Sequence, residues 1–163
     1  MPNWCEGRLK IRGKQQDVVE FMKTELLKHD WKTGEDKNIE FDYKYTKGYV
    51  IAEGYCNVDL WIKNSYRMFL VIDDFADWFD NNPKAEKQTW VFPFRQAWDI
   101  EPQLLTELSV KYNIDFKIFA FERGGKFNRD IEIIDGELIK DDTIQYDTWE
   151  EYQWNCIDPT IGG

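Results

Sequence analysis

The apolar period of this chain changes early, and the change limits the folds open to it. From Gly7 to Arg12, Leu9 and Ile11 alternate with Arg8, Lys10 and Arg12, the period of two expected of a strand with one buried face. Gly13 then permits a turn. From Gln15 to Lys28 the apolar Val18, Val19, Phe21, Met22 and Leu26 recur at helical spacing. Asp17 and Glu20 near the start of this segment, and Lys28 and His29 near its end, complement the dipole of a helix. A half-buried strand running straight into an amphipathic helix directs the fold toward helices packed on a sheet face.

The later segments extend the same logic. Ile39 to Lys44 and Tyr49 to Tyr55 alternate around Lys47-Gly48 like a hairpin, and Val58 to Ile72 is rich in strand formers. Asp73-Asp74 before Phe75, Trp78 and Phe79 predicts a capped helical turn ending at Asn81-Asn82-Pro83. Thr89 to Trp98 reads as a strand. Asp99 can cap a helix from about Glu101 to Tyr112, with Pro102 in its first turn and Leu104, Leu105, Leu108 and Tyr112 on one stripe. Asp115 to Glu122 is another strand, Arg123-Gly124-Gly125 a turn, and Asp130 to Ile139 a hairpin closed by Asp135-Gly136. Trp149, Tyr152 and Trp154 are expected to pack back on the body. The expected architecture is α+β: a ferredoxin-like βαββαβ core, an antiparallel sheet with two helices on one face, plus an inserted middle segment and a C-terminal β-hairpin. With no repeat, low-complexity tract or linker, residues 1–163 are expected to form one domain.

Two segments carry a family resemblance. The opening Met1-Pro2-Asn3-Trp4-Cys5-Glu6-Gly7 with Leu9, Ile11 and Gly13, and the run Ala97-Trp98-Asp99-Ile100-Glu101-Pro102 with Leu108-Ser109, Tyr112, Phe116, Glu122, Gly124 and Phe127, resemble YubB-like proteins of phages and plasmids. The family usually has two prolines after Ala-Trp, whereas this chain has Pro102 alone, set behind Asp99-Ile100-Glu101. The resemblance implies a ferredoxin-like domain and a mobile-element origin, hence a bacterial host cytoplasm. It supplies no catalytic residues.

Composition narrows the functional classes. Residues 1–70 carry 12 Lys and Arg against 11 Asp and Glu, while residues 71–163 carry 9 against 20, so the net charge of -10 lies in the second half. Such a field opposes nonspecific contact with nucleic acid or anionic membrane; it favours a basic partner or serves solubility alone. The longest apolar run, Met68 to Ile72, is too short to span a membrane, and the N-terminus lacks a signal pattern. Cys5, Cys56 and Cys156 are odd in number and widely spaced, with His29 the sole histidine. This suggests a reducing cytosol, with neither a disulfide framework nor a zinc site.

No motif announces catalysis, a cofactor or a metal. His29 reads as a residue at a helix end and Cys5 as a small buried hydrophobe. Asp73, Asp74, Asp77 and Asp80 lack the alternating oxygen ligands of a Ca²⁺ loop, and Arg123-Gly124-Gly125-Lys126 lacks a phosphate-binding signature. Two surfaces are left as alternatives. Between Asp130 and Glu151 nine carboxylates face Lys140 alone. Asp141, Asp142, Asp147, Glu150 and Glu151 could there imitate a nucleic-acid backbone and engage a basic protein, as a non-catalytic antagonist of a host defence enzyme would. The alternative is a nucleic-acid-binding sheet face formed by Arg8, Lys10, Arg12, Phe119 and Phe121. An enzyme is the least favoured class.

Overall fold

The computed structural model describes residues 3–29, 33–38, 42–46, 49–51, 58–72, 79–80 and 85–163. In chain order its elements are β1 (Trp4–Gly13), α1 (Gln15–Glu25), β2 (Leu26–His29), β3 (Asp36–Asn38), β4 (Asp42–Thr46), β5 (Tyr49–Ile51), β6 (Val58–Ile62) and β7 (Met68–Ile72). There follow β8 (Phe79–Asp80), β9 (Gln88–Ala97), α2 (Pro102–Tyr112), β10 (Asp115–Glu122), β11 (Phe127–Ile134), β12 (Glu137–Gln145) and α3 (Trp149–Asn155).

One antiparallel sheet of nine strands dominates, in the order β12-β11-β10-β1-β9-β7-β6-β2-β3, and β4, β5 and β8 form a separate three-stranded sheet. This overturns the ferredoxin-like βαββαβ expectation. Three strands separate β1 from β2, the hairpin of β11 and β12 extends the sheet beyond β10, and a third helix follows β12. The physical reason is visible in the long ladders: β1 has ten residues and pairs along its length with both β9 and β10, so further strands can add on either side.

The strand period of two sorts the residues onto two faces. Leu9 and Ile11 of β1, Phe92 and Phe94 of β9, Phe116 and Ile118 of β10, and Ile131 and Ile133 of β11 all join the main core. Val18, Phe21 and Met22 of α1 and Leu105 and Leu108 of α2 join them in that core. Phe21 meets Tyr112 and Phe116 edge to face, with ring centroids 5.7 Å from each. The two helices are also joined by a polar contact, in which Lys111 and the Tyr112 hydroxyl donate to Glu25. Burial opposes ionisation of Glu25, but these two donors hold its carboxyl below the usual range.

Several boundaries differ from expectation. The helix begun at Gln15 stops at Glu25 because the apolar Leu26 serves β2, which also contains His29; that residue therefore stands in a strand. Asp99 does not cap α2. Its Oδ1 accepts from the Ile100 N–H at 2.7 Å, and Glu101 is the residue before the helix, with Pro102 in the first turn. The turn at Asp135 and Gly136 has positive φ at both positions, 49° and 77°. A glycine is needed at 136 also because a Cβ there would lie 2.3 Å from Val110 of α2. Of the helical turn expected from Asp73 to Pro83 only Phe79 and Asp80 are described, and they form strand β8 paired with β5 instead; the rest of that turn and the Lys47-Gly48 connection lie outside the described residues.

Candidate functional site

The two alternative surfaces fall on different parts of the sheet. Arg8, Lys10 and Arg12 of β1, and Phe119 and Phe121 of β10, all lie on the face away from α1 and α2, and Arg8 is directly opposite Phe119 in the ladder. The structure divides them. Arg8, Phe119 and Phe121 line a groove of about 440 Å³ together with Glu6, Arg95 and Ile161. Lys10 and Arg12 line a smaller recess of about 80 Å³ with Asp115 and Lys117.

The floor of the larger groove is aromatic. Phe119 and Phe121 meet edge to face at 5.3 Å, but their exposures differ. Phe121 is buried with Tyr146, Tyr152 and Cys156 beneath α3, whereas Phe119 is only partly covered. The segment after α3 forms one wall through Ile157, Asp158 and Ile161, and its Gly163 N–H donates to the Trp4 carbonyl at 2.9 Å. Arg95 forms part of the opposite wall. Its guanidinium stacks on Trp4, 4.6 Å from the ring centroid, and bonds to Asp59. Arg8 is exposed and makes no hydrogen bond or ion pair among the described residues.

Arg12 is engaged in a structural contact. Its Nε donates to Asp115 at 2.8 Å, and Lys87 adds a second cation at 3.4 Å. Burial opposes ionisation of Asp115, but the Asp135 N–H and Arg12 more than compensate and hold its carboxyl below the usual range.

The five carboxylates of the acidic surface are likewise not equivalent. Asp141 receives a bond from Arg129, a largely buried residue that also donates to Thr143 Oγ1 at 2.8 Å and to the Ile100 carbonyl at 3.4 Å. Asp142 is exposed and lies 3.6 Å from Lys140, which also bonds to Asp130. Glu151 closes the start of α3: its N–H donates to Thr148 Oγ1 while its carboxylate accepts from the Asp147 N–H at 3.0 Å. Asp147 and Glu150 are exposed. Sequence reasoning missed α3, although Thr148 followed three residues later by Glu151 is a capping-box signature.

The segments behind the family resemblance meet at one end of the sheet. The Trp98 N–H donates to the Asn3 carbonyl at 2.8 Å, and Trp98 itself has a positive φ of 70°. Glu122, nearly fully buried, accepts from the N–H groups of Gly124 and Gly125. Cys5 lies fully buried nearby, and burial, followed by the charges of Asp99 and Glu122, pushes its thiol far up. These residues therefore secure a sheet end. Asp73, Asp74 and Asp77 lie outside the described residues, and no group of three or more potential metal ligands occurs among the described ones. Among those residues, too, no helix is long and apolar enough to cross a membrane.

Comparison with family models, with curated proteins and with solved structures gives no match.

Proposed function

We propose that this chain is a protein-interaction module that receives an extended, basic segment of a partner along β12. The observation that carries the reading is the state of that strand. β12 is a terminal strand of the nine-stranded sheet, and eight of its nine residues are exposed. Leu138, Ile139 and Ile144 offer apolar side chains beside the carboxylates of Glu137, Asp141 and Asp142. An edge of this length presents a row of backbone donors and acceptors, and strand addition supplies affinity through them while side chains set specificity. The surrounding negative charge selects a basic partner and speeds encounter. A nucleic-acid-acting host protein, with its basic channel, is the partner class that follows from this charge and from the mobile-element resemblance.

The ladder indicates a selective test. The Tyr146 N–H donates to the Lys126 carbonyl, so by the alternation of antiparallel bonds the Thr143 N–H points away from β11. Thr143→Pro removes that outward donor, and Thr143→Val removes only the hydroxyl that Arg129 uses. The reading expects immobilised wild type and Thr143→Val to retain the same host protein at low salt and to release it at high salt, while folded Thr143→Pro retains none. Equal capture by both variants would show that the edge is not the docking element.

A further inference from the structure

The groove on the helix-free face combines features that β12 does not use. It has an aromatic floor in Phe119, a cation in Arg8 directly across the ladder that is unengaged among the described residues, and two lining carboxylates, Glu6 and Asp158. Arg95 on the other side keeps a buried Nε with no hydrogen-bond partner, although its guanidinium is fixed by Asp59 and Trp4. Arg95 thus places a fixed guanidinium in the groove wall.

We propose that this groove is a binding site for a nucleoside phosphate. The base stacks on Phe119, an interaction any base can make. The phosphate takes Arg8, whose planar fork matches its oxygens. The lining carboxylates accept from sugar hydroxyls or an exocyclic amine, groups that a simple inorganic anion lacks. This mixture of charge distinguishes the site from a polyanion channel, because Glu6 and Asp158 repel a continuous phosphate backbone that follows the groove. Its closed end points the same way, since α3 and residues 157–163 cover Phe121 and leave Phe119 as the one accessible ring of the pair.

The nucleotide could arrive free or as a unit of a single-stranded RNA, and the experiment separates these sources. Backbone amide NMR of the full chain is followed during titration with adenosine monophosphate, with adenosine, and with an eight-residue oligoadenylate. The expected result is a set of shifts confined to Glu6, Arg8, Phe119 and Ile161, with adenosine at least about tenfold weaker than its monophosphate because the charged hydrogen bonds to Arg8 are lost. Arg8→Gln should bring the monophosphate to the level of adenosine. Phe119→Leu, which keeps the apolar volume but not the ring plane, should weaken both at least about fivefold. Stronger binding by the oligomer would assign the site to single-stranded RNA, and equal or weaker binding to a free nucleotide. The proposal is overturned if no ligand shifts these amides at about 5 mM, a level at which even millimolar affinity would be seen, or if neither variant changes the affinity. Thr143→Pro should leave the titration unchanged, which keeps this result separate from the fate of the β12 edge.

Discussion

The two faces of the large sheet are drawn from alternate residues of the same strands, yet they follow different rules. Toward α1 and α2, β1, β9, β10 and β11 present Leu9, Ile11, Phe92, Phe94, Phe116, Ile118, Ile131 and Ile133, all buried in one core. Away from the helices the same strands present Arg8, Lys10, Arg12, Arg95, Lys117, Asp130 and Glu132, with aromatic residues where α3 and the segment after it provide cover. Folding constrains one residue in two, because only one face has to be removed from water. The other residues are free to carry recognition, and the groove around Arg8 and Phe119 is built from them, whereas on β12 Asp141 stands opposite the core residue Ile131 and only Asp142, opposite Asp130, shares the helix-free face.

The sharpest way to break that contrast is to truncate one phenylalanine on each face. Phe116→Ala should cost about 3–5 kcal/mol, as large-to-small changes in a tight core do. Phe119→Ala, on a half-covered ring, should cost no more than about 1.5 kcal/mol. Urea unfolding of the two variants reads both, and similar losses would mean that the helix-free face is as much a core as the other.

Next in size is the buried carboxylate of Asp115. Asp115→Ala leaves the Asp135 N–H and Arg12 without their acceptor and should cost about 1–3 kcal/mol. The same contact has a pH signature. Because the Asp115 and Glu25 carboxyls are held below their ordinary range, the stability they add is present above the unfolded-state value, about pH 4, and is lost as pH falls through the lower folded-state values. Wild type should therefore lose stability on acidification, and Asp115→Ala should lose less over the same range. Parallel acid profiles would separate Asp115 from the pH response.

The amino-acid pattern revealed the elements better than their arrangement. Leu9 and Ile11, and the stripe of Leu105, Leu108 and Tyr112, mark buried faces by their spacing, because burial acts residue by residue. The order of nine strands has no such local signature. β2 and β6 pair across residues that no alternation brings together, and a short segment such as Leu26 to His29 looks like the last turn of α1 until β6 is there to receive it. The groove was half legible. Arg8 and Phe119 could be placed on one face from alternation alone, but Arg95, Ile157 and Ile161 reach it through the register of β9 and the path of the segment after α3. The acidic count from Asp130 to Glu151 was correct in sum and uninformative about roles, since charge density does not show which carboxylate has an arginine behind it.

The smallest effect separates two adjacent carboxylates of β12, and it tests whether that acidic surface is one surface or two. Asp141 accepts from Arg129, whose side chain is about nine-tenths buried, while Asp142 is well exposed and only near Lys140, whose ammonium is already bonded to Asp130. Removing an acceptor from a buried guanidinium leaves a desolvated donor, whereas an exposed ion pair contributes little after side-chain entropy and screening. Asp141→Asn should therefore lower stability by about 1 kcal/mol, because the amide oxygen still accepts while the charge is lost, and Asp142→Asn should change it by less than about 0.5 kcal/mol. Partner association should reverse the order. Asp142→Asn should slow the on-rate and flatten its salt dependence, because an exposed rim charge acts on encounter, and Asp141→Asn should do so less, because its charge is already compensated within the fold. Equal effects of the two substitutions on both stability and association would show that Arg129 does not distinguish them, and the acidic strand would then act as a uniform field.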